Sequence, residues 1–101
     1  MPIAMLMEIP GGTQKMYDDV MADLALEGVP EGGICHVAAP MEGGWRVLDV
    51  WESQEQFERF FEEHLGAALQ KAGVPMTNPP RFAPVHNVMS VDHAPATSPV
   101  G

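Results

Sequence analysis

Apolar and polar residues alternate along this chain with two different periods, and each change of period marks an element boundary. From Ile3 to Ile9 the period is two: Ile3, Met5, Met7 and Ile9 fall on one side, with Ala4, Leu6 and Glu8 on the other, as a β-strand requires. Pro10-Gly11-Gly12 breaks the strand, and Thr13 is placed to cap a helix by accepting a backbone N–H bond. Met16, Val20 and Leu24, flanked by Tyr17 and Met21, then recur at helical spacing, while Lys15, Asp18, Asp19 and Asp23 fall mostly elsewhere. The pattern is that of an amphipathic helix with one buried stripe.

Gly28, Pro30, Gly32 and Gly33 end that helix, and Ile34 to Ala39 form a short apolar run suited to a strand. The segment Pro40-Met41-Glu42-Gly43-Gly44 is a turn by composition, and Trp45 to Trp51 is rich in aromatic and β-branched residues, so the two runs predict an antiparallel hairpin. Ser53-Gln54-Glu55-Gln56 is a capping box, in which the Ser53 hydroxyl takes the Gln56 N–H and the Gln56 side chain reaches back to Ser53. Phe57, Phe60, Phe61, His64, Leu65, Ala68 and Leu69 mark the inner side of the helix that follows, and Gly73 stops it. A last strand is expected over Phe82 to Met89, at a sheet edge because Pro84 has no N–H for a central ladder. Residues 90–101, with Pro95 and Pro99 among small polar residues, are expected to form a flexible tail outside a domain of residues 1–89.

The order βαββαβ predicts an α+β, ferredoxin-like domain: two helices on one side of a four-stranded antiparallel sheet. Both sides of the strands are apolar, since Leu48 and Val50 alternate with Val47 and Trp51, so the uncovered side calls for a second copy of the chain, a homodimer. At 101 residues there is room for one core. The 14 acidic and 5 basic residues give a formal charge of −9, with the basic residues scattered, which excludes nucleic acid and anionic membrane as natural partners. No apolar run approaches the roughly 20 residues of a membrane span, and the N-terminal run lacks a basic leader. Cys35 is the single cysteine, so no internal disulfide can form, and a cytoplasmic location is the simplest expectation.

Trp45-Arg46-Val47-Leu48-Asp49-Val50-Trp51-Glu52-Ser53, followed by Phe57, Phe60 and a long acidic helix, resembles the dimeric α/β barrel superfamily, specifically antibiotic biosynthesis monooxygenase-like proteins. The resemblance follows the element order over roughly residues 2–89 and is motif-like around Trp51. It implies a dimeric α/β barrel, and a cofactor-independent chemistry in which a pocket stabilises a substrate anion that itself reacts with oxygen. Haem-degrading members carry an Asn on the first strand and a His on the second helix. Here Met5 and Met7 occupy the first strand, so His64 alone does not complete such a site and haem is disfavoured.

If Leu48 and Val50 face the helices, then Val47, Asp49 and Trp51 face the barrel interior between paired sheets. A four-residue turn over Met41 to Gly44 sets His36 across from Asp49, whereas a one-residue slip pairs Asp49 with Cys35 instead. The His36 pairing is preferred because it leaves Cys35 and Val37 to pack under the helices. With His86 looking into the same space, His36, Asp49 and His86 make a candidate catalytic group: an imidazole base whose tautomer and cation a carboxylate supports. Trp51, Trp45, Met5, Met7 and Val47 supply a flat, adaptable lining for a small aromatic or apolar ligand. The same three polar residues are competent metal ligands, but no close pair such as His-x-x-x-His appears, so no metal is expected. A pocket enzyme acting on an aromatic or polyketide-like compound by proton abstraction, with or without oxygen, competes with a non-catalytic ligand-binding or assembly module in which His36 and Asp49 only satisfy each other.

Overall fold

In the computed structural model, which describes residues 1–89, the N-terminal period-two run is strand β1 (Ile3–Pro10) and the first amphipathic segment is helix α1 (Gln14–Leu24). The expectation for residues 90–101 lies outside the described residues. Thr13 caps α1 through its Oγ1, which accepts the Met16 N–H at 3.1 Å. The helix ends at Ala25, which takes the left-handed conformation (φ 51°) usually left to glycine. The hairpin follows as β2 (Gly33–Met41) and β3 (Gly44–Trp51).

Ser53 caps α2 (Gln54–Phe60) by accepting the Gln56 N–H at 3.2 Å. The reciprocal half of the box differs from expectation: Gln56 Oε1 accepts a bond from the Ser53 hydroxyl at 3.1 Å instead of reaching the Ser53 backbone. The expected single helix contains a π-turn (Phe61–Leu65) before it resumes as α3 (Gly66–Lys71). Glycine suits the junction, because a Cβ at Gly66 would press on the Phe61 carbonyl oxygen at 3.1 Å. The last strand, β4 (Arg81–Pro84), is shorter than the predicted Phe82 to Met89. It lies at a sheet edge, as its proline requires, and pairs with β1.

The four strands form one antiparallel sheet in the order β2-β3-β1-β4, the ferredoxin-like arrangement, with the helices on one face. That face carries the core: Met5 (1% exposed), Met7, Ile9, Val47 and Trp51 pack against Phe57, with Tyr17, Phe60, Phe61 and Leu65 around them. Each of the larger side chains contributes about 1.5–3 kcal/mol by leaving water. A second cluster of Val20, Ala68 and Leu69 locks α1 to α3.

Here the structure corrects the expected orientation of the sheet. Val47, Asp49 and Trp51 lie under the helices and not in a space between paired sheets, because Trp51 joins the phenylalanines of α2, its ring 5.5 Å from that of Phe57. Leu48 (45% exposed) and Val37 (54% exposed) lie on the opposite, open face instead of beneath the helices. No helix among the described residues is long and apolar enough to cross a membrane.

Candidate active site

Between the sheet and the helices lies a cavity of about 430 Å³, walled mainly by apolar side chains. Strands β1 and β3 contribute Met5, Met7, Trp45, Val47 and Trp51, which are the residues the sequence marks as a ligand lining. Helix α1 adds Met16, Tyr17, Val20, Met21 and Leu24, and the α1–β2 loop adds Leu26, Val29 and Pro30. Four flexible thioethers and two indoles make a wall that accommodates flat apolar bodies of varied outline.

One polar cluster interrupts this lining. The β2–β3 register places His36 opposite Asp49, as the turn length predicts, with Met41 paired to Gly44 at the tip. A β-bulge between Gly33 and Cys35 offsets the far end of the hairpin, so Cys35 pairs with Val50. His36 Nδ1–H donates to Asp49 Oδ1 at 2.6 Å, and Trp51 Nε1–H donates to Asp49 Oδ2 at 3.0 Å. Asp49 is 7% exposed, so these two donors supply the stabilisation that water would otherwise give its charge. An ionised carboxylate only accepts, which puts the proton of the neutral His36 ring on Nδ1 and leaves the Nε2 lone pair of that form as an acceptor.

That lone pair is taken. Tyr17, one turn into α1, donates its hydroxyl proton to His36 Nε2 at 2.6 Å. The Tyr17 ring lies nearly parallel to the imidazole, at 11° with 5.8 Å between centroids, and leans on Trp45 at 5.6 Å. Burial, reinforced by the negative charges of Asp49 and Asp18, pushes the Tyr17 phenol above its ordinary value. Its neighbours thus favour the protonated hydroxyl. The result is a continuous chain from Tyr17 through His36 to Asp49 and Trp51, across α1, β2 and β3.

His86 does not join this chain. It follows the end of β4, is exposed, and is absent from the cavity wall, because the strand ends at Pro84 before the chain can carry His86 alongside β1. His64 is exposed on the π-turn, beside Phe60. Among the described residues, no three His, Cys, Asp or Glu side chains gather as a metal set. Tyr17 is the member of the cluster that periodicity passes over: it reads as a flank of the buried stripe, and the hint available was a lone phenol on the face of a helix due to pack on the sheet. The Trp45 indole N–H is buried and meets no acceptor among the described residues.

No family model matches the chain, and no curated protein matches it. Solved structures do. A putative antibiotic biosynthesis monooxygenase from Chloroflexus aurantiacus J-10-fl superposes with a TM-score of 0.60 at 15% identity, over 88% of this chain and 98% of that one. SnoaB, a cofactor-independent oxygenase from Streptomyces nogalater, gives 0.58 at 10% identity, over 87% and 95%. A Nitrosomonas europaea protein of unknown function, NE2512, gives 0.52 at 18% identity, over 99% and 93%. At these identities the likeness is one of fold.

Proposed function

We propose, taking as premise a chain with the dimeric α/β barrel fold of antibiotic biosynthesis monooxygenase-like proteins, that it is a pocket enzyme abstracting a proton from an aromatic or polyketide-like small molecule. His36 is the base. Asp49 holds its tautomer and stabilises the imidazolium, and Trp51 holds Asp49. The substrate anion left in the cavity is then the electron-rich species, able to react onward with or without oxygen. The observation carrying this reading is the 2.6 Å His36–Asp49 pair on the wall of a 430 Å³, otherwise apolar cavity.

A homodimer belongs to the same proposal, but in a different place from the pocket. The open sheet face sets Leu6, Val37 and Leu48 side by side, with Glu8 between Arg46 (4.0 Å) and Arg81 (3.3 Å) at one end. A second copy seated there would remove this apolar surface from water and close the barrel. The pocket then sits inside each protomer.

The test is turnover of a panel of hydroxylated polycyclic aromatics by the purified protein, with and without oxygen. His36→Ala and Asp49→Asn, checked for folding by circular dichroism, are expected to lose at least a hundredfold in rate, in line with the roughly 10²–10⁴ typical of a general base. Folded variants that work at the wild-type rate would refute the role of the pair. A lowered melting temperature with no selective loss of a reaction would instead favour a non-catalytic binding module.

A further inference from the structure

We infer that the hydroxyl of Tyr17, and not the His36 imidazole, is the group that meets the substrate, with proton transfer running through it to His36. The inference rests on the reading of His36 as the final base and refines its route. It follows from counting hydrogen-bonding capacity within the cluster.

His36 has two ring nitrogens, and both are committed: Nδ1–H to Asp49 and the single lone pair of Nε2 to the Tyr17 hydroxyl. Asp49 is buried, with one oxygen toward His36 and the other toward Trp51. Tyr17 Oη donates its one proton to His36 yet keeps oxygen lone pairs for which no donor is found among the described residues. Tyr17 also lines the cavity. Asp49 keeps lone pairs as well, but on two oxygens already held by His36 and Trp51 in a residue only 7% exposed, so the oxygen of half-buried Tyr17 is the more open acceptor of the cluster.

The Tyr17 ring is fixed for this task. Its backbone N–H closes the first turn of α1 on the Thr13 carbonyl at 3.1 Å, and its ring is held between His36 and Trp45. A substrate reaching His36 Nε2 directly would first have to break a 2.6 Å hydrogen bond. A relay keeps that path intact.

In the relay, the substrate O–H or C–H bond breaks as an O–H bond forms on Tyr17 Oη. The original Tyr17 O–H bond breaks as an N–H bond forms on His36 Nε2. The electron pair stays with the substrate, which becomes an anion, while the imidazolium rests against Asp49. Tyr17 ends neutral, its new proton directed at that anion as a hydrogen-bond donor. The two transfers are concerted, since the surroundings of Tyr17 disfavour a free phenolate.

The probe for the test is 4-nitrophenol, whose phenolate absorbs visible light. Binding is followed by calorimetry and ionisation of the bound probe by absorbance, at a pH where the free probe is protonated. Wild-type protein is expected to ionise the bound probe. At saturating probe, Tyr17→Phe is expected to ionise it at least tenfold less, and His36→Gln to lose ionisation as well.

Because Tyr17 is the only tyrosine in the chain, growth on 3-fluorotyrosine changes this one hydroxyl into a stronger donor. The ionised fraction should then rise, which a purely structural role would not produce. Full ionisation by Tyr17→Phe but not by His36→Gln, or no response to fluorination, overturns the relay and leaves His36 as a base in direct contact. Full ionisation by His36→Gln removes the base assignment itself.

Discussion

Asp49 organises the polar cluster because burying a carboxylate is unfavourable unless donors surround it. Its two donors, the His36 ring and the Trp51 indole, come from its cross-strand partner and from two residues further along its own strand. Asp49→Asn places an amide N–H2 where a second acceptor is needed, and should destabilise the fold by about 1–3 kcal/mol in urea denaturation. Asp49→Ala orphans both donors and should cost more. Tyr17 brings a pH dependence of its own. Its folded phenol holds the proton more tightly than an unfolded tyrosine, so its contribution is intact below the ordinary value of 10.0 and fades as pH rises through the higher folded value. Wild-type protein should therefore lose more stability than Tyr17→Phe above pH 10, and the absorbance titration of the single tyrosine should sit above that of free tyrosine.

Among the elements, α1 and the interrupted helix that follows β3 decide where the cavity lies. The π-turn at Phe61–Leu65 adds a residue to one turn, and π-bulges of this kind often accompany functional sites. Phe60 and Leu65, at its two ends, both line the cavity. Nothing in the sequence marks the π-turn, because Phe61, Leu65, Ala68 and Leu69 satisfy an ordinary helical stripe equally well. By contrast, the Thr13 and Ser53 caps were legible, since each depends on a local hydroxyl and a nearby N–H. The left-handed Ala25 was not, there being no glycine to announce it. Ala25→Gly relieves that conformation and should raise the midpoint of thermal unfolding, with a gain of up to about 1 kcal/mol. A Cβ at Gly44 would collide with the Ile9 carbonyl oxygen, so Gly44→Ala should loosen the β1–β3 ladder and lower the midpoint.

For the whole molecule, the element order, the sheet and the His36–Asp49 register were legible because turn length and period-two patterning are local properties of the chain. Which sheet face meets the helices was not. Leu48 and Val50 look as fit for a core as Val47 and Trp51, and only the packing of Trp51 against Phe57 and Phe60 breaks the tie. For the same reason the place of His86 was not legible: it depends on how far β4 runs, and the strand stops at Pro84, leaving His86 off the cavity wall. The open face carries a prediction at this scale. Leu48→Glu should convert a wild-type dimer to a monomer in light scattering while leaving the cavity residues in place. A wild-type protein that is monomeric at high concentration would remove the second copy from the picture.

The most direct measurement is ¹⁵N NMR of the His36 ring, free and with bound 4-nitrophenol. At a pH where the free ring is neutral its proton is expected on Nδ1, in the short bond to Asp49, and both nitrogens are expected to be protonated once the probe binds. A proton on Nε2 in the free protein, together with a ring that ignores the bound probe, would contradict the assignment of this cluster as the proton acceptor of the cavity.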